Sequence, residues 1–463
     1  MKASRLRLGL TLAAAGVIIP TAAMAQGTPP GGPTPPPAPQ TGTPATPTPG
    51  TPKEEAQPAP APVQGVTPPA TTQPPEPAPA APSPPIAPTP APVPAAEPAP
   101  PAAEPAPPTA SIAGYIDTAY HADLNHNSVH MPSVYRAYDA NNGFMLHAAH
   151  LAVSHSFSPE SSAFVSLDFG SDAYINTANY GVFGTGSPLG GSTGIPVDVR
   201  EGYFKWTPGD LTLQAGKFVT MNGIEVVDGP LNPTMTRGFL FWLAEPVGHT
   251  GAKLNYALGG GVAHIGAGVV NGWDRLLDNN NQKTILFNAD VVPSADFHAQ
   301  ISGSWGAEQT NDDSHHRTTI DLTGAGVLGA LTLNFQALVG FESFADGSGL
   351  NNGKNDTWFG IGIQPVFVAD AFSLGGRLEY FNDNHGSRLA QTVGTATFVP
   401  DKASLLNFTI TPGYMVAKNL TLRAEFRIDA ALSAKDAAGD SNTKLFNGKS
   451  TQPTIAIGGT YTF

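Results

Sequence analysis

The stretch Leu420-Thr-Leu-Arg-Ala-Glu-Phe-Arg-Ile-Asp429 shows most plainly the pattern that recurs along this 463-residue chain. Apolar side chains stand at every second position, and Thr, Arg, Glu or Asp stand between them. Alternation with period two predicts a β-strand with one apolar face and one charged face. Soluble sandwiches and membrane barrels both contain such strands, so the rest of the chain must separate the two folds.

Sixteen segments share this alternating pattern, and the connections between them are alternately short and long. The predicted strands are 112–122, 143–157, 163–173, 198–207, 211–219, 249–258, 261–271, 282–292, 296–306, 317–327, 330–343, 356–369, 372–382, 404–415, 420–430 and 452–463. Tight turns at one end and long polar loops at the other are typical of outer-membrane barrels. We therefore predict an all-β fold, a transmembrane antiparallel up-and-down β-barrel of about 16 strands, closed so that no sheet edge meets lipid unpaired.

The last predicted strand places Ile455, Ile457, Tyr461 and the terminal Phe463 on one face. A terminal aromatic on the lipid-facing register resembles the signal by which outer-membrane barrels are recognised for assembly. We expect Phe463 to be that assembly signal, with the barrel-assembly machinery and outer-membrane lipid as partners.

Residues 1–25 have the features of a secretory signal peptide. Lys2, Arg5 and Arg7 precede an apolar run, and Ala23-Met-Ala25 forms a small-residue cleavage site. No later apolar run reaches the roughly 18 residues of a helical span. The sequence predicts export to the cell outer membrane.

Residues 26–109 contain 33 prolines, mixed with Ala and Thr. Such a segment cannot bury enough apolar surface to offset its chain entropy, so it is predicted to be a disordered periplasmic linker. It is either a passive spacer or a tether that binds peptidoglycan in the cell wall. The barrel domain is then 110–463.

Composition excludes several functions. The chain has no cysteine, which excludes disulfides and thiolate metal sites. Its net charge of −13 argues against nucleic acid as a partner. Residues 110–463 carry 19 basic and 31 acidic residues, a net charge of −12 that predicts a mild preference for cations.

One connection, 220–248, is too long for a turn and too apolar for a surface loop. Counted from the periplasmic start, it is the third outer loop. It carries Phe239, Phe241, Trp242 and Leu243, which must pack against something. A barrel of this size has a lumen wide enough for water, so we expect this loop to fold inward, bury its aromatic residues against the wall and narrow the channel.

The sequence around this loop also resembles a known family. Gly216-Lys-Phe-Val-Thr-Met-Asn-Gly-Ile-Glu225, Asn232-Pro233, Thr236-Arg-Gly-Phe-Leu-Phe241 and Glu245-Pro-Val-Gly-His-Thr-Gly251 are similar to the OmpL-like beta-barrel porins (beta-barrel porin type two). The resemblance is strongest over about 200–275 and continues over roughly 112–463. It implies an outer-membrane porin and names no particular solute.

In a channel, charges that enter the lumen select solutes, because opposed acidic and basic rows order water across a constriction. The candidates on the loop are Glu225, Asp228, Arg237 and Glu245; those on the pore wall are Arg200, Glu201, Lys205, Lys253, Arg377, Glu379, Arg423, Glu425 and Arg427. The alternative is that several of these residues pair to brace the barrel or anchor the loop. Arg200 and Glu201 are adjacent, so one must point outward unless a bulge or rim position intervenes. Lys217 shares the register of the apolar Leu211 and Leu213, which is unusual for a pore charge.

Other chemistry has weak support in the sequence. His147 and His155 share strand parity while His150 opposes it, which predicts no compact histidine cluster. Asp312-Asp313 with His315-His316 is a weak metal candidate on an outer loop, and we predict no metal site and no cofactor. No nucleophile elbow surrounds a serine, so we predict no enzyme activity.

Two functions follow from the predicted barrel. The first is a porin, a water-filled channel for passive diffusion of small hydrophilic solutes or ions, constricted by loop 220–248. The alternative is a non-conducting structural or adhesive barrel tethered to the cell wall by its Pro-rich segment. Homo-oligomers are common among porins, but no oligomer face is legible in the sequence.

Overall fold

A computed structural model describes residues 109–125, 142–180, 197–345, 353–392, 401–436, 439–440, 445–446 and 449–463. The predicted signal peptide and nearly all of the predicted linker lie outside these residues. The described residues contain sixteen long antiparallel strands, as predicted: β1 (Thr109–Asp123), β2 (Gly143–Ser156), β3 (Ser161–Phe169), β4 (Val197–Trp206), β5 (Leu211–Val219), β6 (Gly248–Leu258), β7 (Ala263–Val270), β8 (Thr284–Ser294), β9 (Phe297–Ala307), β10 (His316–Leu328), β11 (Leu331–Glu342), β12 (Asp356–Ala369), β13 (Phe372–Asp383), β14 (Lys402–Ala417), β15 (Leu420–Asp436) and β16 (Thr451–Thr462).

The strands form a closed barrel. Each strand pairs with the next along the chain, and β1 pairs with both β2 and β16. In the closing pair, Tyr115 lies opposite Thr462 and Asp123 lies opposite Thr454. Closure satisfies the edge groups of the first and last strands, which lipid could not do.

The two faces of each strand have the polarity of a membrane barrel. On β15, Leu422 and Phe426 on the outer face are 49% and 38% exposed, while Glu425 and Arg427 on the inner face are 4% and 1% exposed. Apolar side chains therefore face outward and charged side chains face the interior, the reverse of a soluble sandwich. This confirms the prediction made from 420–429.

Among the residues that the structure describes, α-helices occur in two of the outer connections. They are α1 (Ser171–Tyr180) and α2 (Ser387–Thr392), and neither is long and apolar enough to cross a membrane. The predicted third strand, 163–173, was wrong at its end, because β3 stops at Phe169 and α1 begins two residues later. The predicted strand 420–430 was too short, because β15 continues to Asp436 and pairs there with the two-residue strand Gly439–Asp440.

Candidate pore constriction

The loop between β5 and β6, residues 220–247, lies inside the barrel, and we call it L3. The Met221 carbonyl oxygen accepts a hydrogen bond from Gln300 Nε2 on β9 at 2.5 Å. The Gly223 amide donates to Asp321 Oδ2 on β10 at 2.5 Å. Both partners are buried, inward-facing side chains of the wall. The inward fold predicted for the third outer loop is confirmed.

Side chains of L3, Asn232 and Arg237 among them, hold the loop in its own shape. The Asn232 amide pairs with both backbone groups of Val226: its Oδ1 accepts from the nitrogen at 2.8 Å and its Nδ2 donates to the oxygen at 2.6 Å. The Arg237 guanidinium donates to the carbonyl oxygens of Val226 (3.1 Å), Val227 and Met235 (3.1 Å). Arg237, a predicted constriction residue, thus braces the backbone of the loop.

Arg377 on β13 joins two segments of L3 to the wall. Its Nη1 is 2.7 Å from Glu225 Oε1, and it also donates to Thr234 Oγ1 (2.9 Å) and to the Thr236 carbonyl oxygen (2.5 Å). Its Nε donates to Asn407 Oδ1 on β14 at 2.9 Å. Arg377 and Glu225 are 1% and 2% exposed, so this is a buried ion pair with most of its hydrogen-bonding capacity satisfied.

Two wall carboxylates accept hydrogen bonds from the L3 backbone. Glu425 on β15 receives the amides of Met235 (2.5 Å) and Thr236 (3.3 Å), and also the Thr236 hydroxyl. Glu379 on β13 receives the Phe239 amide at 2.8 Å. Both carboxylates are buried, and they satisfy loop amides that have no strand partner.

Two arginines of the wall donate hydrogen bonds to carbonyl oxygens of L3. Arg423 Nη1 donates to the carbonyl oxygens of Asn232 (3.1 Å) and Gly229 (3.3 Å). Arg427 Nη1 donates to the Arg237 carbonyl oxygen at 2.6 Å. Along β15, therefore, Arg423 and Arg427 bind carbonyl groups of L3, and Glu425 between them binds amide groups of the same loop.

Glycines allow L3 to approach carboxylates closely. A β-carbon at Gly238 would overlap the carboxylate of Glu379. A β-carbon at Gly223 would overlap Glu245, and Gly223 also has φ +87°, which side-chain-bearing residues rarely adopt. Glu245 is buried and accepts a hydrogen bond from Gln336 Nε2 at 2.6 Å. Burial, with Asp321 nearby, raises the pKa of the Glu245 carboxyl well above its usual value.

The tip of L3 is joined to the opposite side of the wall through Arg200 on β4. Arg200 Nη1 is 3.0 Å from Asp228 Oδ2, and Nη2 donates to the Tyr115 hydroxyl at 3.1 Å. Arg200 also contacts Asp168 on β3, which is 2.6 Å from His150 Nδ1. Glu225 and Asp228 are three residues apart in sequence, yet they bind β13 and β4 respectively. L3 therefore crosses the interior of the barrel.

A bulge on β4 explains why Arg200 and Glu201 both face inward. The register against β3 shifts between Ser166 and Leu167, so Arg200 is the extra residue. Glu201 then lies opposite Ser166, an interior residue, and its Oε1 accepts the Val219 amide at 3.2 Å. Of the two alternatives that the sequence offered for these positions, a bulge or a rim position, the structure has the bulge.

The lysines have different environments. Lys217 is buried, and its Nζ lies 3.1 Å from Asp198 Oδ1 on β4. Lys253 is also buried, and its Nζ lies 4.5 Å from the ring centroid of Phe218. Lys205 on β4 is half-buried. Among the predicted pore-wall lysines, Lys205 is the more accessible.

The second half of L3 builds an apolar core inside the barrel. Residues 240–244 form one π-helical turn. This turn packs against buried apolar residues of the wall and the outer loops, namely Leu338, Trp358, Phe381, Leu389, Leu405 and Phe446. Trp358 Nε1 donates to the Ala244 carbonyl oxygen at 3.0 Å, and Arg388 Nε donates to that of Leu243 at 2.6 Å. The aromatic residues of the loop are buried, as predicted.

The C-terminal Phe463 completes the barrel seam. Its amide donates to the Gly114 carbonyl oxygen at 2.9 Å, and the Gly114 amide donates to its carbonyl oxygen at 3.0 Å. Its side chain is 56% exposed and stacks on Tyr461 with the ring centroids 6.4 Å apart. A role for Phe463 in assembly stays a prediction.

The histidines contradict the parity argument made from the sequence. The register of β1 against β2 shifts between Asp117 and Thr118, so His147 is an extra residue on β2 and faces inward. His147 Nε2 lies 2.8 Å from His121 Nε2, and its Nδ1 lies 3.0 Å from Asp172 on α1. The sequence missed this cluster because a single inserted residue reverses the parity of a strand. The acidic residue Asp172, in the first turn of α1, was the sequence signal that could have located the third member of this cluster, beside His121 and His147.

No metal site is formed by the residues that the structure describes. They contain no group of three His, Asp or Glu side chains within reach of one ion. The weak candidate on the outer loop is a local pair instead, with His315 Nδ1 2.6 Å from Asp312 Oδ2.

A closed 16-stranded barrel with an apolar outer surface, a charged interior and an inward-folded third loop defines the class of outer-membrane porins. The chain belongs to the family described as "Putative beta-barrel porin-2, OmpL-like", whose sequence pattern matches residues 109–463.

Solved structures with a similar course of the chain include three outer-membrane proteins. OmpT of Vibrio cholerae, in its trimer form, is 12% identical with a TM-score of 0.49, covering 77% of this chain and 100% of that one. The anion-selective porin of Comamonas acidovorans is 10% identical with a TM-score of 0.49, at the same coverage. The outer-membrane channel DcaP of Acinetobacter baumannii is 9% identical with a TM-score of 0.48, covering 77% and 98%. No curated protein matches the sequence.

Proposed function

We propose that this protein is an outer-membrane porin that forms a water-filled channel for passive diffusion of small hydrophilic solutes or ions, constricted by loop 220–248. The observation that carries the proposal is the fixed position of L3 across the barrel interior. Glu225 is bound to Arg377 on β13, and Asp228 is bound to Arg200 on β4. A loop held at both sides of a lumen narrows the path without needing to close it.

The anchoring of L3 favours a permanent constriction over a loop that swings out. Buried charge pairs that also satisfy backbone groups are costly to break, at about 3–5 kcal/mol each. Arg377 with Glu225 is such a pair, and the hydrogen bonds of the buried Glu425 and Arg427 to the L3 backbone add to it. The predicted pore charges then act as one connected network, in which the wall residues fix the loop whose edge meets the solute.

We infer mild cation selectivity from the net charge of −12 over 110–463. Among the four predicted loop charges, Asp228 is the most accessible, with its side chain 25% exposed. Glu225, Arg237 and Glu245 are between 0% and 2% exposed. Asp228 is therefore the loop residue best placed to act on a passing ion.

The remaining parts of the proposal concern the cell envelope. Residues 1–25 direct export, 26–109 form a periplasmic linker that is either a passive spacer or a tether to peptidoglycan, and Phe463 is read by the assembly machinery. These proposals are supported by the signal-like start, the 33 prolines and the exposed terminal aromatic. Assembly into a homo-oligomer is a further expectation.

Reconstitution of the purified mature protein into planar bilayers tests the function. We expect ohmic single-channel steps, and a reversal potential in a salt gradient that shows mild cation preference. Absence of steps from protein with a heat-modifiable, folded band would overturn the porin proposal in favour of a non-conducting structural or adhesive barrel. Anion preference would overturn the charge argument alone.

A further inference from the structure

The charged and apolar residues of L3 have opposite accessibilities. Glu225, Arg237 and Glu245 are almost fully buried, because they bind wall groups or the loop backbone. Leu231, at the tip, is 67% exposed, and its neighbours Pro230 and Pro233 are half-buried. These charged side chains of L3 are therefore packed against the wall or the loop itself, whereas the apolar side chain at the tip is exposed to solvent.

The exposed face of this tip meets the lumen. Gly229 and Asn232, on either side of Leu231, are both held by Arg423 of β15. Asp228 is held by Arg200 of β4. Since both arginines are buried interior side chains of the wall, the turn lies within the barrel, and an exposed side chain on it faces the open interior.

The tip is rigid. Residues 229–231 form a 3₁₀ turn in which the Leu231 amide donates to the Asp228 carbonyl oxygen at 3.0 Å. Asn232 Nδ2 donates to the same oxygen at 3.1 Å. Proline fixes φ directly before Leu231, at Pro230, and again two residues after it, at Pro233. A side chain presented by so constrained a backbone loses little entropy when a solute contacts it.

The charges around the tip are compensated. Asp228 lies 3.0 Å from Arg200, and Asp117 on β1 lies 3.9 Å from Arg423. The pair with Arg200 leaves Asp228 able to attract a passing cation only weakly, and an uncharged solute has no ion pair to displace. An uncharged solute that carries an apolar group gains free energy by covering Leu231, because contact removes apolar surface from water.

We propose that Pro230, Leu231 and Pro233 form an apolar contact site for uncharged solutes that carry an aromatic or alkyl substituent. This inference rests on the proposed porin function and names a solute class for it. Leu231 is the specificity-determining residue, and the wall charges position it.

The test uses the full mature protein in planar bilayers and two uncharged probes that differ in one substituent, phenyl β-D-glucoside and methyl β-D-glucoside. We expect the phenyl glucoside to interrupt the ionic current at a concentration about tenfold lower than the methyl glucoside. Leu231→Ser should remove most of this difference. Leu231→Phe should increase it.

Leu277→Ser is the matched control, because Leu277 is 76% exposed on the outer loop between β7 and β8. It should behave as the wild type. A conducting wild-type channel without preference for the phenyl glucoside, or a preference that Leu231→Ser leaves intact, would overturn this inference and leave the porin function standing. A folded protein without conductance would overturn both.

Discussion

Replacement of Arg377 by methionine should release L3 from the wall while leaving the barrel closed. Arg377 is 1% exposed and donates to Glu225, Thr234 and Thr236 on the loop. Methionine fills a similar volume and removes all of these interactions. It leaves the buried Glu225 carboxylate without its cation, which costs about 3–5 kcal/mol.

That cost falls on the loop more than on the barrel, because the ladders of β13 with β12 and β14 use backbone groups that the substitution does not touch. Single-channel recordings of Arg377→Met should show higher conductance and more open-channel noise than the wild type. The heat-modifiable band on SDS gels should persist. Lys418→Met, at an exposed position in the turn between β14 and β15, is the control and should change neither.

The double variant Arg377→Met with Glu225→Gln sharpens the test. Removing both charges eliminates the buried, unpaired carboxylate, so noise and conductance should return toward wild-type values. If Arg377→Met matched the wild type in both properties, Arg377 would not anchor the loop and the account of L3 would be refuted.

Four further outcomes are expected. Gly238→Ala should lower the thermal midpoint of the heat-modifiable band, because its β-carbon overlaps Glu379, and an unchanged midpoint would contradict this close approach. Deletion of 232–243 should enlarge the single-channel conductance, whereas an unchanged value would place this segment outside the conducting path. The raised pKa of Glu245 means that the folded protein favours its neutral form, so stability should fall as pH rises above the usual carboxyl pKa; Glu245→Gln should flatten that dependence, measured by the same midpoint at several pH values. Asp228→Asn should shift the reversal potential toward weaker cation preference, and a shift the other way would contradict its proposed role.

The strands could be predicted because their signal is local. β5 and β12 begin and end where alternation begins and ends in the sequence. Successive side chains of a strand point to opposite faces, so a strand can be recognised from its own residues without knowledge of distant ones. The inward fold of L3 was also predictable, since its length and its buried aromatics exclude a place in water.

The contacts inside the barrel could not be predicted. Glu225 and Arg377 are 152 positions apart, and their pairing depends on the path of a loop with no periodic pattern. Two single-residue bulges, at His147 and Arg200, reverse side-chain parity. The adjacent charges Arg200 and Glu201 indicated either a bulge or a rim position, whereas no sequence signal marked the bulge at His147, so the histidine cluster was missed.

The accessibility of the loop charges was the least predictable property. Sequence identifies Glu225, Arg237 and Glu245 as charged residues of a pore loop, and charge on a loop suggests exposure to solvent. Their burial follows from the number of backbone groups that an inward-folded loop must satisfy. Because the charged side chains of the loop are used in these contacts, an apolar residue, Leu231, is left exposed at the tip.

A single-cysteine experiment tests most directly whether L3 lines the conducting path. The chain contains no cysteine, so Leu231→Cys provides the only thiol. Its modification by a charged methanethiosulfonate reagent during a bilayer recording should lower the single-channel conductance in one step per channel. The same treatment of Leu277→Cys should label the protein without changing conductance. Complete labelling of Leu231→Cys with unchanged conductance would contradict the account.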